Sequence, residues 1–142
     1  MPKNKRIWHY FLIFLFLILL VLSFPFELVM APERKFQITD SMGNPINDAA
    51  VRQIWYQYAL GVRREIDLRP NLKGQVFLPR RAVRTNLMAL IFGGINEFKD
   101  LGIHASVGSS ESIGIFVSGL QDKWIHDGEG LEGGTVVMGS EK

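Results

Sequence analysis

The feature that most constrains this chain is the stretch from Ile7 to Phe24, which contains no Asp, Glu, Lys or Arg. As a helix rising about 1.5 Å per residue it would reach about 27 Å, close to the roughly 30 Å of bilayer hydrocarbon. Basic residues precede the stretch and Glu27 follows it, and the positive-inside tendency keeps such an N-terminus in the cytoplasm. The sequence therefore predicts a transmembrane helix at about 7–26 that contacts the lipid bilayer.

A cleaved signal peptide is the competing interpretation, because its n-region is also basic. The apolar stretch is longer than the usual apolar region of a signal peptide. The small residue that could end a cleavage site is Ala31, and cleavage there would leave Pro32 as the first residue of the mature chain. An uncleaved anchor is therefore favoured. It predicts a cytoplasmic tail and anchor over 1–30, a short stalk over 31–35 and a domain over 36–142. The predicted location is the inner (cytoplasmic) membrane, single-pass, with the domain periplasmic or extracellular.

Charge and cysteine content exclude several classes of function. The net charge of +2 belongs to the first thirty residues, since the acidic and basic residues of 31–142 are equal in number. A nucleic-acid-binding domain needs a net basic face, so no nucleic-acid partner is expected. The chain has no cysteine, which excludes disulfides and cysteine-ligated zinc. Residues 52–84 are nevertheless rich in arginine and 97–142 are acidic. These halves either screen each other or leave a basic patch for anionic headgroups or an acidic partner.

From Phe36 onwards, short β-type runs alternate with turn residues at intervals of about ten, which is typical of an all-β sandwich. The predicted strands are 36–39, 50–60, 65–69, 75–79, 102–107, 113–117 and 135–138. Residues 84–92 are predicted as a short helix, although the stripe of 83–98 is interrupted by Gly93 and Gly94 and leaves helix or strand open. The fold class is therefore mainly β: a single N-terminal transmembrane helix, then an antiparallel sandwich with one short helical insertion.

Two stretches carry a family resemblance: Asp40-x-x-Gly43-x-Pro45-Ile46-x-x-Ala49-x-Val51 and Gly74-x-Val76-x-Leu78-Pro79. Together they resemble the carboxypeptidase regulatory-like domain, a transthyretin-like (prealbumin-like) β-sandwich, over roughly 36–79. The resemblance implies an accessory, binding or assembly module and carries over no catalytic residues. The predicted helix after Pro79 and the run around His104 depart from the family pattern.

The candidate partner-contact residues are Arg80, Arg81, Arg84 and His104, because three cations cluster where a predicted strand ends. A solvated end of the sandwich is the plainer interpretation of the same cluster. His104 and His126 near acidic residues could nominally ligate a metal, but a hydrogen-bonded structural histidine is the commoner case. We therefore expect no metal site and no cofactor.

The favoured function is a membrane-anchored, non-enzymatic module for protein–protein interaction or envelope assembly. The first alternative is a glycan- or peptide-binding module, which requires an exposed aromatic strip around Trp55, Tyr58 or Trp124. The second is a small hydrolase, which requires His104 beside a serine such as Ser106. The sequence contains no G-x-S-x-G elbow to support hydrolase chemistry.

Overall fold

A computed structural model describes residues 3–101, 108–129, 131 and 134–139. The described chain is mainly β, as predicted, with a helix at the N-terminus and another between two strands. In chain order the elements are α1 (Lys3–Leu22), β1 (Phe26–Ala31), β2 (Arg34–Thr39), β3 (Ala50–Gln57), β4 (Val62–Leu68), β5 (Gln75–Leu78), β6 (Arg81–Thr85), α2 (Leu87–Leu101), β7 (Ser109–Phe116), β8 (Lys123–His126) and β9 (Thr135–Val137). The strand predicted at 102–107 lies outside the described residues.

The core lies between two sheets. One has the order β4-β3-β7-β8 and the other β5-β2-β9. Every pair is antiparallel except β2 with β9, which run parallel. The buried apolar cluster draws on both sheets, as expected of a sandwich, and includes Phe36, Ile38, Val76, Leu78 and Val136 from one sheet and Val51, Ile113, Ile115 and Ile125 from the other.

The N-terminal helix is displaced toward the N-terminus relative to the prediction. It ends at Leu22, and Phe26, which the prediction placed inside the helix, already lies in β1. Among the described residues, neither helix is long and apolar enough to cross a membrane. The prediction of a transmembrane helix at about 7–26 is therefore wrong. The physical reason is Pro25, which disfavours helical geometry at the residue before it. The uncharged part from Ile7 to Leu22 then rises only about 24 Å.

The segment predicted as the anchor end and stalk is β-structure. Strand β1 pairs antiparallel with β6, with Phe26 opposite Thr85, and we call this pair the β1–β6 ribbon. Met30 and Ala31 are buried, so this end of β1 packs into the domain. The stalk predicted at 31–35 is instead the end of β1 and the start of β2. Because Phe26 and Thr85 face each other, α1 and α2 both leave the ribbon at the same end.

The helical insertion begins later and runs further than the predicted 84–92. Residues 84 and 85 belong to β6, and α2 extends from Leu87 to Leu101. Asn86 caps the helix, because its side-chain oxygen accepts a hydrogen bond from the Ala89 N–H at 2.8 Å. The helix continues through Gly93, where a sequence pattern alone would stop it.

Position 93 requires glycine because α2 passes close to the turn between β3 and β4 at this point. A Cβ on Gly93 would overlap the backbone carbonyl of Ala59. Only glycine lets the two backbones approach so closely. This contact fixes which side of α2 faces the domain, and the opposite side is left facing outward.

The turns around the two family-like stretches form as predicted. Asp40 accepts hydrogen bonds from the backbone N–H of Met42 at 2.9 Å and of Asn44 at 2.8 Å. Gly74 has φ of +70°, and a Cβ there would lie 2.7 Å from the Ile38 carbonyl oxygen. These contacts explain the Asp and Gly of the pattern physically.

Candidate functional site

Two of the four predicted contact residues, Arg80 and Arg81, line one hollow, whereas Arg84 lines a separate one beside Phe26 and Glu27. Arg80 precedes β6, Arg81 opens it, and Arg84 lies near its end. Arg64 from β4, Arg80 and Arg81 form what we call the arginine face. An open hollow of ≈ 450 Å³ lies within this face, and it is lined by Met30, Trp55, Val62, Arg64, Arg80, Arg81, Ala82 and Val83. The fourth predicted residue, His104, lies outside the described residues.

Arg81 forms the floor of this hollow together with Trp55. Its guanidinium carbon lies 4.9 Å from the centre of the Trp55 ring, a cation–π contact. Its Nε is buried and has no hydrogen-bond partner among the described residues. Leaving a buried donor unpaired is costly. No ion pair of Arg81 occurs among the described residues, so an acidic group that entered the hollow would meet a cation without an acidic partner.

Arg80 is held by an ion pair across the ribbon. Its guanidinium donates to Glu27 Oε2 at 2.8 Å. This hydrogen bond and the charge of Arg80 hold the pKa of Glu27 below its ordinary value. Both side chains are about half exposed, so the pair is open to solvent and to a competing acidic partner.

Arg84 is exposed and lies opposite Glu27 in the ribbon register. Within the described part of the chain no ion pair involves it. Glu27 is the one acidic residue in strands β1 and β6, so it cannot balance the charge of all the arginines near it. The arginine face keeps an excess of positive charge, and its chemistry suits an acidic contact.

The aromatic strip required by the glycan alternative is not assembled. Trp55 is partly buried beneath Arg81, while Tyr56 and Tyr58 contact each other edge to face at 4.5 Å. Trp124 is 46% exposed but lies on β8 against Phe116. The exposed aromatic surface is therefore divided between separate strands, and it favours no glycan platform.

A serine and a histidine do meet, although not the predicted pair. Ser112 Oγ and His126 Nδ1 are 2.9 Å apart on the exposed faces of β7 and β8, where the two residues are direct cross-strand partners. Such a pair is an ordinary cross-strand contact. In the described ranges no group of three or more metal-ligating side chains occurs. Neither catalysis nor metal binding gains support here.

A buried polar network was missed by the sequence reasoning. Glu111 is 3% exposed, accepts from Arg34 Nε at 3.1 Å, and accepts from Gln53 Nε2 at 2.8 Å. Arg34 also donates to the Asp127 backbone oxygen at 3.2 Å. The network ties β2 of one sheet to β3 and β7 of the other. A signal was present, because Glu111 alternates with the buried Ile113 and therefore points inward.

Both helices expose large apolar side chains. Those of α1 between Ile7 and Val21 are exposed, as are Leu87, Ile91, Phe92, Ile95 and Phe98 of α2. Soluble monomers rarely expose contiguous apolar surfaces of this kind, which mark protein or membrane contacts. The candidate site therefore has a charged part, the arginine face, and an apolar part, the two helices.

Comparison with known proteins adds no assignment. No family model matches the chain, and no curated protein or solved structure matches it. The resemblance to the carboxypeptidase regulatory-like domain therefore stays a prediction.

Proposed function

We propose that this chain is a lipid-attached, non-enzymatic β-sandwich module for protein–protein interaction. The observation that carries the proposal is the exposure of α1 on every side. Phe14, Phe16 and Leu17 point in three directions around the helix and are 62%, 63% and 53% exposed. A helix that is apolar all round is stable only where apolar surroundings cover it. The proposal concerns attachment to lipid and does not include membrane crossing.

Lipid is the covering environment proposed because the N-terminal region suits it. Burial of apolar surface is favourable by about 25 cal/mol per Å². Basic residues precede the apolar stretch and would meet anionic headgroups. Trp8 and Tyr10, both exposed, are side chains that favour the bilayer interface. We propose that this bilayer is the cytoplasmic membrane.

Flotation with lipid vesicles tests the attachment. We expect the full chain, transferred from detergent, to float with vesicles, and the Leu12→Lys plus Phe16→Lys variant to remain at the bottom of the gradient. Lysine in the hydrocarbon region is costly, so the two charges should remove α1 from lipid. The matched control is Met42→Lys plus Leu72→Lys, which adds the same charge at positions 83% and 87% exposed on the domain. Equal flotation of all three proteins would overturn the proposal.

The arginine face is the proposed contact for an acidic surface of a protein partner. The excess arginine charge supports this assignment, because Arg64, Arg80 and Arg81 line the hollow and, of these three, Arg80 alone has an ion pair among the described residues. We expect crosslinking in intact cells to capture one membrane or envelope protein, and Arg80→Glu plus Arg81→Glu to lose it. The control is Arg63→Glu plus Arg69→Glu, which reverses two exposed charges elsewhere. If the arginine-face variant retains its partner while remaining folded, this contact assignment fails.

A further inference from the structure

The exposed face of α2 is an apolar stripe with a fixed direction. Leu87, Ile91 and Phe98 are 43%, 47% and 61% exposed. They share an open surface with Leu90, Gly94, Ile95 and Lys99. At 100° per residue, Phe98 lies about 140° around the helix from Gly93. Because Gly93 faces the turn at Ala59, the stripe points away from the domain.

The position of α2 in the chain limits what can cover this stripe. Strand β1 starts at Phe26, which pairs with Thr85 at the end of β6. The next residue, Asn86, caps α2. Leu22, the last residue of α1, is four residues from Phe26, which is at most about 14 Å of extended chain. A bilayer that holds α1 is therefore within reach of the first turn of α2.

Two cations flank the stripe. Arg84 lies just before α2, and Lys99 lies beside the outward surface in the last turn. Lysine and arginine can lay their carbon stems along apolar surface and keep their charges at headgroup level. The same helix also carries Glu97 and Asp100, so its apolar stripe rather than its net charge is what suits it to the membrane interface.

We propose that α2 is a second lipid-contact element, lying in the interface of the bilayer that holds α1. Its ligand is the surface of a lipid bilayer. The inference rests on the proposed lipid attachment of α1. With two contacts, the orientation of the domain at the membrane is restricted, because Gly93 of α2 lies against the backbone of Ala59.

Site-specific fluorescence separates this inference from the proposal on which it rests. The chain has no cysteine, so a single introduced cysteine carries one environment-sensitive label. The positions are Phe98→Cys on the stripe, Asn96→Cys on the other side of α2, and Phe14→Cys in α1. The full-length labelled chains are placed in vesicles of phosphatidylcholine and phosphatidylglycerol that contain lipids with a spin label on the acyl chain. Circular dichroism confirms that each labelled chain keeps its fold.

We expect spin-labelled lipid to cause loss of fluorescence at positions 14 and 98 but not at 96. Quenching at 14 with no more quenching at 98 than at 96 would overturn the role of α2 and leave the attachment by α1 standing. That result would also follow if a protein or a second copy of the chain covered the stripe. Absence of quenching at 14 would overturn the attachment itself, and the inference with it.

Discussion

Replacing Arg34 with methionine is expected to destabilise the domain by an amount toward the lower end of the about 3–5 kcal/mol that leaving one partner of a buried ion pair alone costs, because Arg34 itself is 25% exposed. Glu111 is 3% exposed, and Arg34 is its cationic partner at 3.1 Å. After the substitution, Gln53 would remain as a side-chain donor to Glu111. Gln53 cannot neutralise the charge. Urea unfolding of the full chain in mild detergent, followed by tryptophan fluorescence, measures the loss.

The exposed pair between Arg52 and Asp67 provides a matched control. Its geometry is better, with contacts of 2.7 and 3.0 Å, but both side chains are largely exposed. Arg52→Met should therefore cost much less than Arg34→Met, because water can solvate the Asp67 left behind. Adding Glu111→Met to Arg34→Met should recover much of the lost stability, since the unpaired charge is removed. Equal losses for the two single variants would contradict the buried network.

The second large effect is expected at Leu78 on β5. Its side chain is fully buried between the sheets, and truncation of such a leucine to alanine costs about 2–5 kcal/mol. Its neighbour Phe77 points to the other face and is 48% exposed, with Lys35 over its ring at 5.2 Å. Phe77→Ala should cost at most about 1 kcal/mol, the size of an exposed cation–π contact. The same urea measurement compares them.

This pair of variants tests the orientation of β5 in the sandwich. A strand that slipped by one residue would exchange the faces of Leu78 and Phe77. A larger loss for Phe77→Ala than for Leu78→Ala would therefore contradict the described register with β2.

Local patterns predicted the parts of the fold that local physics determines. Short β-type runs between turn residues identified β2 and β5, and the turn at Asp40 followed from side-chain hydrogen bonding to its own backbone. The ribbon was not predictable in this way. Strand β1 pairs with β6 more than fifty residues later. It follows closely on the apolar stretch of α1, so the sequence pattern does not show where the helix ends and the strand begins. Only the long-range pairing makes it a strand.

The remaining errors have the same long-range origin. The sequence pattern predicts that Gly93 ends the helix. Glycine is required there because the backbone of Ala59, distant in sequence, lies too close for a Cβ. The clustering of Arg80, Arg81 and Arg84 predicted a basic surface, but Arg84 lies outside the hollow. Trp55 and Arg64 join Arg80 and Arg81 only where two separate sheets meet. The Arg34–Glu111 pair joins two sheets. No local pattern contains such a partnership.

The most direct test of the central claim, that α1 attaches the chain to lipid, is alkaline carbonate extraction of membranes from cells that produce the full chain. Carbonate releases proteins held by charge or by protein contacts and leaves those held by apolar burial in lipid. We predict that the wild-type chain stays in the membrane pellet and that Leu12→Lys plus Phe16→Lys moves to the supernatant. Release of the folded wild-type chain into the supernatant would contradict the account.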